Sequence, residues 1–203
     1  MIAIIDYGVG NLFSLASSFK RVGAETVVTS DPEVIASAER IILPGVGAFG
    51  DAIEKLRKSG LDKVVCDEVK KGKKLMGICL GMQLLFERGL EYGEHEGLGL
   101  LKGQVVPMKG VIPNELMVPH IGWNALIMKN ESHPLFKYIK NGECVYFVHS
   151  FYAEGCDDSL LATAEYGHEL TAAVALGNVA GMQFHPEKSG DVGINILKAF
   201  CEW

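Results

Sequence analysis

Long hydrophobic runs are missing from these 203 residues: no apolar stretch approaches the ~20 positions that a membrane-spanning helix needs. The opening stretch, MIAIIDYG, carries no basic segment ahead of its apolar run, so no signal peptide is read there. Positive charge is scarce as well. A net charge of -6 with dispersed lysines argues against a nucleic-acid surface. The five cysteines (Cys66, Cys79, Cys144, Cys156, Cys201) are odd in number and contain no Cys-x-x-Cys pair. That disfavours a disulfide scaffold or a structural zinc site and makes a reducing cytosol the expected setting. Repeats and low-complexity segments are absent too. What remains is ordinary globular composition, 48% apolar and 22% charged. The length suits one domain spanning 1–203, with a full core.

The chain is organised around Lys73 to Phe86. Leu75, Met76 and Ile78 make a short apolar run typical of a buried strand, whereas Met82, Leu85 and Phe86 have the spacing of a helix packed on one face. Between them lies Gly77-Ile78-Cys79-Leu80-Gly81, a thiol version of the Gly-x-nucleophile-x-Gly elbow. Such a turn is sharp and needs its glycines. It leaves the sulfur at a helix N-terminus, where unpaired N–H groups and the helix dipole favour a thiolate. The competing reading is a core cysteine after a strand, the usual fate of a free thiol.

Elsewhere the first half alternates strand and helix. Ile2–Ile5, Thr26–Val28 and Arg40–Leu43 have strand character; Asn11 can cap a helix carrying Leu12, Leu15, Phe19 and Val22; Asp31–Ala38 and Leu61–Lys71 fit helices; and Asp51 with Glu54 resembles a capping box. Four strand–helix alternations predict an α/β fold with a mostly parallel central sheet and helices on both faces. After Leu98 the pattern turns strand-rich: Leu100–Met108, Ala125–Met128, Cys144–Ala153, Leu160–Tyr166 and Leu170–Gln183 predict an antiparallel extension in the C-terminal half, closed by a helix from about Asp191 to Glu202. The glycine- and glutamate-rich segment Glu87–Gly99 is expected to be an exposed loop.

Parallel sheets carry their chemistry at the carboxyl ends of strands. Gly8–Asn11, Pro44–Gly47, Cys79 and His185 are expected there. The run from Gly45 to Gly50 matches Gly-x-Gly-x-x-Gly, but it follows the third strand, is entered through a proline, and has no acidic residue ending a following strand. Backbone N–H donation to an oxyanion is the better use of such a loop beside a nucleophile. In Gln183-Phe184-His185-Pro186-Glu187, an imidazole and a carboxylate lie two residues apart, the pair that a cysteine nucleophile needs as base and orienting group. For His120, within Pro119–Asn124, and His149, within an aromatic strand, the competing reading is core packing with a hydrogen-bonded ring, which is favoured for His149; a metal site from them with Cys79 matches no ligand spacing. Pro119–Asn124 shows neither helical nor strand periodicity.

Cys79-Leu80-Gly81-Met82-Gln83 together with His185-Pro186-Glu187 resembles the triad (class I) glutamine amidotransferases, and the likeness runs over essentially the whole chain. Within that family, Asp6–Asn11, Leu43–Gly47, Pro119–Asn124 and Phe147–Ser150 are similar to the glutaminase subunits of imidazole glycerol phosphate synthases. The resemblance implies a flavodoxin-like fold, no cofactor, and hydrolysis of glutamine. Cys79 would attack the side-chain amide, His185 oriented by Glu187 would move the protons, and Val46, Gly47 and Leu80 would supply oxyanion donors. Gln83 and Glu91 match positions that hold the amino-acid end of the substrate. Gly47, Ser150 and Phe151 match substrate-contacting positions; relatives often carry Thr and Tyr at the last two, so backbone contacts remain while a hydroxyl at 151 is lost. The implied partner is a separate (β/α)8 cyclase subunit that receives ammonia and makes imidazole glycerol phosphate and AICAR in histidine biosynthesis. Its docking face and ammonia gate would involve Asn11, Pro119, His120, Ile121, Gly122, Trp123, Asn124, Tyr146 and Lys188. The oxyanion loop is expected to stay unformed until the loaded partner binds. Rival readings are a glutaminase serving another synthase, a cysteine hydrolase on a related sheet, and a non-catalytic binding module.

Overall fold

Apolar runs bounded by charge or glycine form β1 (Ile2–Ile5), β2 (Thr26–Thr29), β3 (Arg40–Leu43) and β4 (Lys74–Ile78) in the computed structural model, which describes residues 1–203. The intervening helices are α1 (Leu12–Arg21), α2 (Pro32–Ser37), α3 (Phe49–Lys58) and α4 (Leu61–Lys70). After β4 come α5 (Leu80–Gln83), β5 (Arg88–Gly89), β6 (His95–Glu96), β7 (Gln104–Pro107), β8 (His120–Ala125) and β9 (Ile127–Met128). The remainder is β10 (Cys144–His149), β11 (Phe151–Glu154), β12 (Leu160–Glu165), β13 (Glu169–Leu176), β14 (Val179–Met182) and α6 (Gly190–Glu202).

The main sheet runs β2-β1-β3-β4-β14-β13-β12-β9. Its first five strands are parallel, and β13, β12 and β9 extend it antiparallel. Period-two alternation sends Ile2, Ile4, Met76 and Ile78 to one face, where Leu15, Phe19, Ile196, Leu197 and Phe200 of α1 and α6 cover them. Ala3, Ile5 and Leu75 go to the other, under Ile53, Leu56 and Val65 of α3 and α4. The predicted two-layer covering of a mostly parallel sheet is therefore what forms. Two smaller sheets, β10-β8 and β11-β7-β5-β6, stand beyond the carboxyl ends of the strands. No helix is long and apolar enough to cross a membrane.

Several sequence expectations need correction. The helix after the elbow lasts one turn: Leu84, Leu85 and Phe86 are buried as predicted, but their carbonyls accept from Leu98, Leu100, Leu101 and Gly99 amides instead of continuing α5. The Asp51/Glu54 capping box does not exist, because α3 starts at Phe49 after Ala48 and the free Phe49 N–H is taken by the Glu91 carboxylate at 2.8 Å. Pro119–Asn124 is not irregular: His120–Ala125 pairs antiparallel with Cys144–His149. Cys144–Ala153 divides at Ser150 into β10 and β11, which join different sheets, and Leu170–Gln183 is the hairpin β13–β14. The predicted strands Leu100–Met108 and Ala125–Met128 shrink to β7 and β9. Within Glu87–Gly99 the loop is largely exposed but carries β5 and β6, with Gly89 buried against Phe49.

Candidate active site

β4 and β14 are parallel neighbours, with Ile78 opposite Met182, so the residues that follow each strand emerge side by side. Cys79 follows β4 at φ 55° and ψ -116°, a conformation that L residues avoid and that marks a strained turn. The Cys79 amide is fixed by Met182 O at 2.7 Å. Close approach explains the flanking glycines. A Cβ on Gly77 would lie 2.5 Å from Gly81 O, and one on Gly81 would strike the Leu43 carbonyl oxygen at the end of β3. A Cβ on Gly45 would lie 2.6 Å from the Gly81 amide nitrogen. The elbow and the Pro44–Gly47 loop are thus in backbone contact, and the Tyr7 hydroxyl donates to Pro44 O at 2.7 Å from beneath. Leu80 opens α5, so its amide is a donor with no intrahelical partner.

After β14, His185 is extended and Pro186–Lys188 makes a single 3-10 turn. That turn brings Glu187 Oε1 to 2.8 Å from His185 Nδ1, with both side chains buried. Glu187 Oε2 has no donor, which leaves the carboxylate charge directed at the imidazole. Burial alone would lower the His185 pKa; the Cys79 sulfur and the Glu187 carboxylate outweigh it and raise the pKa to about 9. An imidazolium between a sulfur and a carboxylate is the arrangement that turns a thiol into a nucleophile.

These groups share a cleft of about 330 Å³ whose lining includes Val46, Gly47, Cys79, Leu80, Gln83, Glu91, Ser150, Phe151 and His185. Every residue expected to be catalytic, oxyanion-binding or substrate-binding lines it except Glu187, which stands behind His185. Gln83 is already engaged: its amide donates to Gln183 Oε1 at 2.9 Å and to Phe151 O at 3.3 Å. Glu91 is held at the α3 N-terminus by Phe49 N, one carboxylate oxygen remaining for a ligand. Ser150 O accepts from Met108 N. A larger surface cleft of about 660 Å³, beside Lys102 and Asp157, contains the Cys156 thiol, whose pKa burial raises, and no histidine.

The residues expected at a docking face separate into two groups. Ile121 and Trp123 are exposed on β8, at 59% and 57%. Trp123 packs edge-on to Tyr146 across the strand pair, with Lys188 Nζ 5.9 Å from the Tyr146 ring. Pro119 and Lys188 line the cleft, and Asn11 caps α1 through Ser14 N. Gly122 continues β8 between the exposed pair. His120 and Asn124, by contrast, turn inward. His120 is buried, stacked on Phe147 and Tyr166, and bonded to His149, while Asn124 bonds Glu165 O. No group of three or more His, Cys, Asp or Glu side chains is placed to hold a metal ion. Sequence reasoning gave no role to Gln183 or Tyr7; Gln183 stands two positions before His185, and nothing local marks either one.

Comparison with known proteins adds a family. The model of the class-I glutamine amidotransferases matches residues 3–202. The imidazole glycerol phosphate synthase subunit HisH of Geobacillus sp. (strain WCH70) is 49% identical over 204 residues, covering 99% of this chain and 96% of that protein. The HisH subunit of Caldanaerobacter subterraneus subsp. tengcongensis is 50% identical over 203 residues, covering 100% and 98%. Among solved structures, PurLQS from Thermotoga maritima superposes with a TM-score of 0.75 at 22% identity, covering 99% of this chain and 97% of that one, a likeness of fold.

Proposed function

The chain belongs to the class-I glutamine amidotransferase family, and on that premise we propose that it is the glutaminase subunit of an imidazole glycerol phosphate synthase, acting in histidine biosynthesis. The observation that carries the reading is the meeting of Cys79 and His185 at one cleft, with Glu187 bonded behind the imidazole, in a chain half identical, end to end, to HisH subunits. Residues 1–203 act as one amidotransferase domain, supported by the family match over 3–202.

Cys79 Sγ attacks the carboxamide carbon of glutamine. His185, held by Glu187, protonates the departing ammonia and then draws a proton from the water that cleaves the glutamyl thioester. The tetrahedral oxyanion takes a hydrogen bond from the Leu80 amide and from an amide at Val46 or Gly47; each such donor is worth ~3 kcal/mol in the transition state. Glu91 and Gln83, on the cleft wall, receive the substrate's ammonium and amino-acid end, beside the Gly47, Ser150 and Phe151 backbone. Ammonia passes to a separate (β/α)8 cyclase subunit docked over Asn11, Pro119, Ile121, Gly122, Trp123, Tyr146 and Lys188. His120 and Asn124 act from behind that face. The loaded partner completes the oxyanion loop.

The test is glutamate release from glutamine by the purified chain, alone and with the cyclase subunit carrying its ribonucleotide ligand, with Cys79→Ser as control. Release that appears with the loaded partner and vanishes in the variant is the expected result. Activity independent of the partner discards the gating. Silence in every mixture with a folded protein discards the glutaminase.

A further inference from the structure

Gln183 presents an unusual buried amide. Its side chain is fully buried (0% exposed), its Oε1 accepts from Gln83 Nε2, and its Nε2 has one acceptor, the Cys79 sulfur at 3.9 Å. A neutral thiol is a poor acceptor for a buried N–H, whereas an ionised acceptor makes the bond roughly twice as strong. The direction of this amide is fixed by a longer chain of hydrogen bonds that begins at a backbone carbonyl. Phe151 O can only accept, so both His149 Nδ1 at 2.8 Å and Gln83 Nε2 at 3.3 Å must donate to it. Gln83 then presents its remaining N–H to Gln183 Oε1, which turns Gln183 Nε2 toward sulfur. On the other side, His149 Nε2 becomes an acceptor and takes the Nδ1–H of His120 at 3.1 Å, and Asn124 Nδ2 faces His120 Nε2 at 3.4 Å. One orientation of every amide and ring satisfies the whole series. It runs from β8, beside the exposed Ile121 and Trp123, to the nucleophile.

We infer that Gln183 is a positioning residue for Cys79: its amide, oriented through Gln83 by the Phe151 carbonyl, donates to the sulfur and favours the thiolate from within the protein, apart from the His185–Glu187 pair. This rests on the reading of Cys79 as the nucleophile. Ammonium, imidazolium and carboxylate groups of the chain are not needed for it. The titratable groups that face the sulfur are His185 and Tyr7, and both are unchanged in the variants that follow.

The experiment follows carbamidomethylation of Cys79 by iodoacetamide across pH in the full chain, with the modified peptide quantified by mass spectrometry so that the other four cysteines do not contribute. Gln183→Met keeps length and apolar bulk but removes the donor. The expected result is a reaction at least about tenfold slower at pH 7 and a higher pH midpoint, the size of losing one hydrogen bond to an ionised acceptor. Gln83→Met keeps the Gln183 amide but frees it to turn, and should slow the reaction by about two- to threefold. It decides the matter if Gln183→Met does not fold. A folded Gln183→Met protein, or in its absence a folded Gln83→Met protein, with the parent's rate and midpoint overturns the inference. A parent chain whose Cys79 reacts no faster than a model thiol at any pH instead removes the nucleophile reading on which it rests.

Discussion

Replacing Gly81 by alanine tests how tightly the elbow is locked to the neighbouring loop. The residue is helical, so conformation alone makes alanine acceptable and even favourable, by up to about 1 kcal/mol. Space decides otherwise. The added Cβ would strike the Leu43 carbonyl oxygen and lie 2.8 Å from Leu43 C and 3.0 Å from Pro44 C, all of them backbone atoms. No rotamer relieves such a contact, since β3 is held between β1 and β4 and Pro44 O is bonded to Tyr7. Overpacking of this kind costs typically 1–3 kcal/mol, and rigid partners put it at about 3. A net loss of about 2 kcal/mol corresponds to a melting temperature lower by ~4–8 °C for a chain of this size. Gly142→Ala is the contrast: that glycine has φ +86° and nothing within 4 Å of its Cβ position. Its cost is the left-handed backbone, about 1 kcal/mol, with the cleft untouched. Thermal unfolding together with glutamine hydrolysis in the complex separates the two. A Gly81→Ala protein that melts within a degree of the parent and hydrolyses glutamine at the parent's rate would refute the packing argument.

Three further outcomes are expected. Titration of His185 by NMR should show a midpoint near 9, falling toward the ordinary histidine value in Glu187→Gln. Because the folded pKa is the raised one, the stability it contributes is full below about 6.5 and disappears as pH rises through about 9; a midpoint unmoved by the substitution would exclude the carboxylate as its cause. Glu91→Gln keeps an oxygen for Phe49 N but loses the charge, so KM for glutamine should rise at least ~10-fold with kcat and melting temperature little altered; a fall in kcat alone would place Glu91 elsewhere in the chemistry. Trp123→Ala removes an exposed side chain, so the free chain should keep its stability to within ~0.5 kcal/mol while affinity for the cyclase subunit, measured by calorimetry, drops by ~30-fold. An unchanged affinity would move the docking face away from β8.

The first half of the fold was legible because each strand is a short apolar run closed by glycine or charge, and each helix buries one stripe. The elbow was legible because its glycines stand at fixed offsets from Cys79. So was the imidazole–carboxylate pair, since Glu187 follows His185 by two residues and a single turn suffices to join them. What escaped reading depends on contacts between distant segments. Leu84–Phe86 have helical spacing, but the amides that stop the helix come from Leu98–Leu101. β8 was missed because its alternation is inverted, with Ile121 and Trp123 pointing out and His120 and Asn124 pointing in. An inverted strand resembles a loop until its partner is known. Gln183 reaches Gln83 across 100 positions, a relation that no local pattern contains.

The pairing of β4 with β14 also sets an order of events in folding. The Cys79 turn and the segment that follows β14 are separated by 104 positions, counted from Cys79 to Gln183. Closing a loop of that length carries an entropic cost of about 4 kcal/mol, recovered only when β14 locks into the sheet. During synthesis, β1 to β4 can assemble while His185 is still untranslated. The Cys79 sulfur therefore meets the His185 imidazole at the cleft only when the sheet is complete. In the reaction proposed above, a partly made chain has no base with which to hydrolyse glutamine and release ammonia.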